Sequence, residues 1–214
     1  MFATAQGNVK KTSMDQYDRT RRDGLIAINL KDGDELISVK RVAKGEKVIM
    51  VSSAGKAILW DESEARAMGR RTMGVRGMNV PADAHVLGME IAKPGTDLFV
   101  ITEKGYGKRT KIEEYPEHHR GGQGVYTITM THKKGLLSVM KTVGPDDENM
   151  IVSEDGDIVR TPVKGISELG RSTQGVKVMN VADKDKVCAV AIASTGKKKA
   201  KKAASADGNQ MGLL

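Results

Sequence analysis

The chain has 214 residues, with 35 Lys and Arg against 27 Asp and Glu and a formal net charge of +8. A single cysteine, Cys188, excludes an internal disulfide framework, and no apolar run approaches the ~18 residues of a membrane helix. No charged segment followed by an apolar core marks a secretion signal, so a reducing cytoplasmic setting is expected.

In chain order, four similar units are expected at 1–46, 47–96, 97–147 and 148–196. Each opens with an apolar run (48–51, 98–101, 150–152), a polar turn holding a glycine, and a second run such as 57–60, which is a hairpin signature. The first unit enters this pattern part-way, because Phe2-Ala3-Thr4-Ala5-Gln6-Gly7 aligns with 98–105; the chain is expected to start inside a larger protein. A polar stretch (61–66, 112–119, 164–168) leads to a basic glycine loop and then to a short strand with apolar residues in both parities: Val75 and Met78, Val176 and Met179. After a further polar turn comes a last strand at 36–42, 86–91, 136–140 or 187–192. Strands apolar on both faces belong to stacked sheets, and Cys188, inside Val187-Cys188-Ala189-Val190, is expected to be buried. With only seven aromatics, the core must come from Val, Ile, Leu and twelve Met. Residues 197–214 are too poor in apolar side chains to fold and read as a disordered basic tail.

Two glycine series fix the repeat. Gly7, Gly55, Gly105 and Gly156 are spaced by 48, 50 and 51 residues, while Gly24, Gly74, Gly124 and Gly175 are spaced by 50, 50 and 51. A fixed period of this size means that no unit buries its apolar face alone and neighbours must stack. Four strands per unit is the blade pattern of an all-β, propeller-like fold.

The chemistry of the units is cationic. Five lysines of the tail (Lys197, Lys198, Lys199, Lys201, Lys202) and Asp207 set aside, 30 cations face 26 anions, so placement must carry any argument for a polyanion partner. Four residues before the loop glycine stand Arg70, Arg120 and Arg171, with Thr20 in the first unit. Arg66, Arg71 and Arg76 surround the second loop, Arg21 and Arg22 the first, and Lys177 the fourth. Four after the hairpin glycine stand Lys11, Arg109 and Arg160, with Lys10 and Lys108 beside them. For one loop, solvated arginines and turn glycines are the plainer account. Four loops in register favour a stripe along one rim, matched to the phosphates of a bent duplex. Few aromatics interleave with these cations, which argues against base stacking on single strands.

Catalytic chemistry finds no support. His85, His118, His119 and His132 lack ligand spacing, so no metal is expected. Neither Gly121-Gly122-Gln123-Gly124 nor Gly107-Lys108-Arg109-Thr110 satisfies the phosphate-loop pattern. Tyr17 and Tyr115 stand where other units have Ala65 and Ile166, and packing accounts for them.

Several segments resemble the C-terminal domain of the DNA gyrase A protein: Glu64-Ala65-Arg66-Ala67-Met68-Gly69-Arg70, Gly74-Val75-Arg76-Gly77, Gly105-Tyr106-Gly107-Lys108-Arg109-Thr110, Asp32-Gly33-Asp34-Glu35-Leu36 and Gly170-Arg171-Ser172-Thr173-Gln174-Gly175-Val176. The resemblance runs over 2–194. It implies a β-pinwheel of about four blades of four strands, the last four of a usual six, and a non-catalytic domain without cofactors. It also implies a function: wrapping double-stranded DNA to support ATP-dependent negative supercoiling by the holoenzyme. The implied partners are the rest of the gyrase A protein, as a homodimer, and the gyrase B protein, in the bacterial cytoplasm and its nucleoid. The family's cleaving tyrosine would lie upstream. Residues 118–124 keep only the Arg, Gly, Gly and final Gly of the signature gyrase A box and are not that box, which leaves the equivalent domain of topoisomerase IV as an alternative. From another class, a propeller binding an acidic protein also fits the basic rim.

Overall fold

The computed structural model describes residues 1–18, 22 and 24–194. The basic tail and Arg21 lie outside the described residues. Strands come from the runs the sequence marks: β1 (Phe2–Thr4), β2 (Asn8–Lys10), β3 (Leu36–Val39), β4 (Lys47–Ser52), β5 (Lys56–Asp61), β6 (Val75–Arg76), β7 (Val86–Ala92), β8 (Asp97–Thr102), β9 (Tyr106–Lys111), β10 (Val125–Tyr126), β11 (Leu137–Val143), β12 (Asp147–Ser153), β13 (Ile158–Pro162), β14 (Val176–Lys177) and β15 (Val187–Ser194). Short 3-10 turns at Glu62–Glu64, Ile112–Glu114 and Val163–Gly165 leave β5, β9 and β13, and each is followed by a buried side chain, Ala65, Tyr115 or Ile166. Tyr115 is thus a packing residue: its hydroxyl lies 2.5 Å from Thr127 Oγ1, and burial pushes it up to about 12. Among the described residues no helix is long and apolar enough to cross a membrane.

The sheets are antiparallel, with strand orders β3-β1-β2-β6, β10-β5-β4-β7, β11-β8-β9-β14 and β13-β12-β15. Three blades have the expected four strands; the last has three among the described residues. The outer strand of each four-stranded sheet is not its own. β6, β10 and β14, the short strands after the loop glycines, each cross to the preceding unit and pair with β2, β5 and β9.

That exchange accounts for both glycine series except at their ends, where an added Cβ on Gly24 or Gly156 would meet nothing within 4 Å. At Gly74 and Gly124 the backbone is left-handed, and an added Cβ would run into the carbonyl oxygen of Val9 or Ala57 on the strand being paired. The hairpin glycines are the other half of the interlock: Gly7, Gly55 and Gly105 accept from Gly77, Thr127 and Val178 of the following unit at 2.8, 2.9 and 2.9 Å.

Between sheets lie three apolar layers. Val48, Met50, Ile58 and Trp60 pack with Ala3 and Val9 on one side of the second blade, while Ile49, Val51, Ala57 and Leu59 pack with Leu98 and Val100 on the other. Phe99, Ile101, Ile151, Val187 and Val190 form the third layer. The two-faced strands are therefore used as two-faced strands. Cys188 is a correction: it is exposed, because the pairing of β15 with β12 shifts register between Val187 and Ala189, so Val187 and Val190 are buried while Cys188 and Ala189 between them are not.

If strand exchange rather than turn geometry holds these glycines, the two costs should separate. Gly45 has φ of +82° with nothing within 4 Å of an added Cβ. Gly45→Ala should cost about 1–2 kcal/mol from backbone strain alone. Gly124→Ala, with comparable φ of +73° but the Ala57 carbonyl in the way, should cost roughly 4 kcal/mol. Urea midpoints of the two variants read the difference, and equal losses would remove the exchanged strand as the reason.

Candidate nucleic-acid interface

The second, third and fourth basic loops are arches fixed at both feet to the preceding hairpin. The first foot is a parallel bridge, Lys11 with Ala67, Leu59 with Glu117, and Arg109 with Glu168, reinforced where Met68, His118 and Leu169 donate to the carbonyls of Lys11, Leu59 and Arg109 at 2.7–2.9 Å. The second foot is the exchanged strand. Residues 68–74, 118–124 and 169–175 span between them, carrying Arg70, Arg120 and Arg171 at equivalent positions.

The arches are tied in series. Asn29 N donates to Thr72 O at 3.1 Å, Asn79 N to Gly122 O at 2.9 Å and Thr129 N to Thr173 O at 3.0 Å, so each arch is bonded to the segment that follows the equivalent loop of the unit before it. Arg120 Nη1 donates to Arg76 O at 3.0 Å along the same seam. Arg70 is half-buried, its Nη1 3.4 Å from Ile26 O. Arg120 is anchored more firmly: its Nε donates to Glu64 O and its backbone N to Glu64 Oε2, both at 2.9 Å. Arg171 is half-buried, and its guanidinium has no hydrogen-bond partner among the described residues. Arg22, Arg66, Arg71, Arg76 and Lys177 are exposed; Arg76 reaches Asn79 Oδ1 at 3.3 Å and Lys177 the carbonyl of Lys104 at 3.1 Å.

The other expected contacts do not face solvent in the same way. Lys10 and Lys108 have no accessible surface. Lys10 Nζ donates to the carbonyls of Ala27 and Arg70; Lys108 Nζ donates to Gly170 O at 2.6 Å, Arg171 O at 2.8 Å and Thr173 Oγ1 at 3.0 Å. In this geometry neither reaches a phosphate, because the ammonium is enclosed under its own arch. Burial lowers both amines from their usual range, Lys108 to about 8; nearby Arg70 and Arg171 add to this, and Glu114 opposes it at Lys108. The series Lys11, Arg109 and Arg160 is ion-paired. Lys11 meets Glu62, Arg109 meets Asp97 at 2.5 Å and Glu168 at 2.7 Å, and Arg160 Nε meets Glu148 at 2.8 Å. Four residues after the hairpin glycine is where the second strand passes acidic groups of its own blade or of the next unit's bridge, so a cation there fastens the hairpin.

Two cations escaped the sequence reading. Lys56 Nζ lies 5.2 Å from the Tyr126 ring and 2.8 Å from Gln123 Oε1; Lys134 Nζ lies 5.0 Å from the Tyr106 ring and 3.1 Å from Gly175 O. Lys177 covers Tyr106 from 4.7 Å. Lys56 with Tyr126, and Tyr106 with Lys177, are directly opposed residues across the exchanged-strand pairing. Cations and aromatics do interleave, but across strands, where a scan along the chain does not find them.

Comparison with known proteins gives a consistent result. A family model described as "DNA gyrase C-terminal domain, beta-propeller" matches residues 1–43, 46–93, 96–132 and 147–194. The DNA gyrase A protein of Salmonella typhimurium is 40% identical over 186 residues, which is 87% of this chain and 21% of that protein. The chain thus spans about a fifth of the length of that relative. A solved DNA gyrase A C-terminal domain superposes with a TM-score of 0.80 at 30% identity, covering 89% of this chain and 64% of that one. The C-terminal domain of DNA topoisomerase IV gives 0.85 at 26% identity, with 90% and 61% covered. Its interlocked all-β blades, its basic arches and these matches together make the chain a member of the DNA gyrase C-terminal domain family.

Proposed function

We propose that residues 1–196 act as one duplex-DNA-wrapping unit of a gyrase A protein, with residues 197–214 a basic extension. In this reading the unit does no bond chemistry itself. It serves an ATP-driven supercoiling enzyme formed with the rest of gyrase A and with gyrase B in the bacterial nucleoid. The observation that carries this is the seam of hydrogen bonds that joins successive arches, because it sets cationic loops of separate units side by side. A duplex carries a charge about every 1.7 Å along its axis and a condensed counterion layer, so exposed cations along such a series gain by displacing counterions at many phosphates. Backbone and phosphate contacts of this kind carry no base information, and little sequence preference is expected. Identity of 40% to the Salmonella gyrase A protein, and of 30% to the solved gyrase A domain against 26% to that of topoisomerase IV, favours gyrase A.

Of the expected contacts, Arg22, Arg66, Arg70, Arg71, Arg76, Arg120, Arg171 and Lys177 remain for this role, joined by Lys56 and Lys134. Arg66→Ala and Arg71→Ala should each flatten the log–log salt dependence of duplex binding by about 0.9. Both should leave stability within about 0.5 kcal/mol, as is usual for exposed side chains. Arg109→Ala should behave oppositely. Its side chain is 19% exposed and holds two carboxylates, so its loss should cost about 2–4 kcal/mol of stability.

Wrapping also predicts that affinity rises with duplex length over several helical turns. Religating a nicked plasmid with the chain bound, then stripping it, should leave an altered linking number. Weak, length-independent retention with no change in linking number would favour docking of an acidic protein instead.

A further inference from the structure

Lys10 and Lys108 are the two expected contacts whose ammonium groups are enclosed, so the DNA reading cannot use them directly. An arch that leaves the sheet edge turns backbone carbonyls inward, away from water, where they need donors. In two arches the donor is an ammonium. Lys108 Nζ takes Gly170 O, Arg171 O and Thr173 Oγ1; Lys10 Nζ takes Arg70 O and, from the first unit, Ala27 O. Arg70 and Arg171 occupy the same position in their arches. Both arches are also braced by a threonine, Thr72 Oγ1 to Gly69 O at 3.0 Å and Thr173 Oγ1 to Gly170 O at 2.9 Å.

The middle arch is an internal control. Its equivalent residues are Ile58 and Gly122, which pack together, an added Cβ on Gly122 lying 3.5 Å from Ile58 Cδ1. There the arginine is fixed from outside, by Glu64. Two different solutions hold the same residue of the same loop.

We propose that Lys10 and Lys108 are positioning residues for duplex DNA: each grips from inside the carbonyl of the arginine that its arch presents outside, without touching DNA. This rests on the DNA-wrapping reading for its role, and on the arch geometry alone for the grip. An ammonium has three donors, and at Lys108 all three are used. The charged groups facing Lys108 are Glu114, from the turn after β9, and Arg171, from the arch; β8 places uncharged Val100 opposite it. Closing the arch over Lys108 brings its amine from the ordinary 10.5 down to about 8. The sign follows from proton linkage. Between these values the open arch binds a proton that the closed arch does not, so closure strengthens as pH rises, by up to tenfold per pH unit above about 8.

Trypsin cleavage of the full 214-residue chain after Arg171, referred to cleavage after Arg120 in the same sample, reads the grip without DNA. In the unaltered chain the ratio should be low at pH 7 and fall further between pH 8 and 9.5. Lys108→Met should raise it about tenfold and abolish its pH dependence, and Lys10→Ile should do the same for cleavage after Arg70 without a change at Arg171. Duplex affinity should drop severalfold in Lys108→Met, as in Arg171→Ala. A folded Lys108→Met whose ratio matches that of the unaltered chain overturns the grip; should Lys108→Met fail to fold, a Thr173→Val ratio that matches the unaltered chain's does the same, because it removes one of the three acceptors. If Arg171→Ala weakens DNA binding and a folded Lys108→Met does not, the positioning role is wrong. If neither variant changes DNA binding while the cleavage ratio responds as stated, Arg171 is no DNA contact and the positioning role fails at Lys108, while the grip stands and the wrapping reading is decided by duplex length and linking number.

Discussion

The structure depends on a close backbone approach between consecutive units. A strand of two residues cannot hold a sheet edge through side-chain burial, so it is secured by what precedes and follows it. Before it, a glycine such as Gly74 or Gly124 lies against the carbonyl of the strand being joined; after it, the backbone N–H of Gly77, Thr127 or Val178 reaches the hairpin glycine of the unit before. Each unit is therefore completed by its successor. The apolar layers obey the same rule, since each is built from two neighbouring blades and neither blade could keep it dry alone.

Because the exchanged strand crosses to the preceding unit, the loop that feeds it must pass over that unit's sheet edge. The basic arches are thus a consequence of the topology rather than insertions into it. An arch pinned at both feet has little freedom left, so less conformational entropy is lost when its arginines meet a ligand than with a free loop of the same length. The interior of the arch is the difficult place, since it holds carbonyls shielded from water. Burying an ammonium there is costly in isolation, and it is tolerated because the donors of Lys108 are all matched with acceptors.

Much of this was legible in the chain. The period, the two glycine series, the two-faced strands and the positions of the arches follow from spacing alone, and the buried Tyr115 follows from its equivalence to Ala65 and Ile166. What spacing could not show is which strand belongs to which sheet, because a swapped strand and a retained one have the same pattern. The role of each cation was hidden for a related reason. Lys10 and Arg70 are 60 residues apart in sequence and Arg109 and Glu168 are 59 apart, yet each pair is in contact in space, so their partners become visible only once the exchange is known. Cys188 failed differently: its neighbours are apolar, but it stands at a register shift in β15 that spacing does not show.

The cations therefore divide by the partner they already have. A guanidinium held between Asp97 and Glu168, as in Arg109, would have to leave two carboxylates to gain one phosphate, and the exchange brings little net charge to the rim. An ammonium under an arch would have to leave the carbonyls that give the arch its shape. Arg66 and Arg71 meet neither obstacle, their guanidinium groups being exposed and without hydrogen-bond or ion-pair partners among the described residues. Arg120 is an intermediate case, bonded chiefly to carbonyl oxygens, so its charge is oriented but not neutralised. A rim built this way keeps its shape through groups that are already satisfied and its attraction through groups that are not. Without the tail, the excess of 30 cations over 26 anions understates the contrast, because many anions of the described residues fasten hairpins and turns.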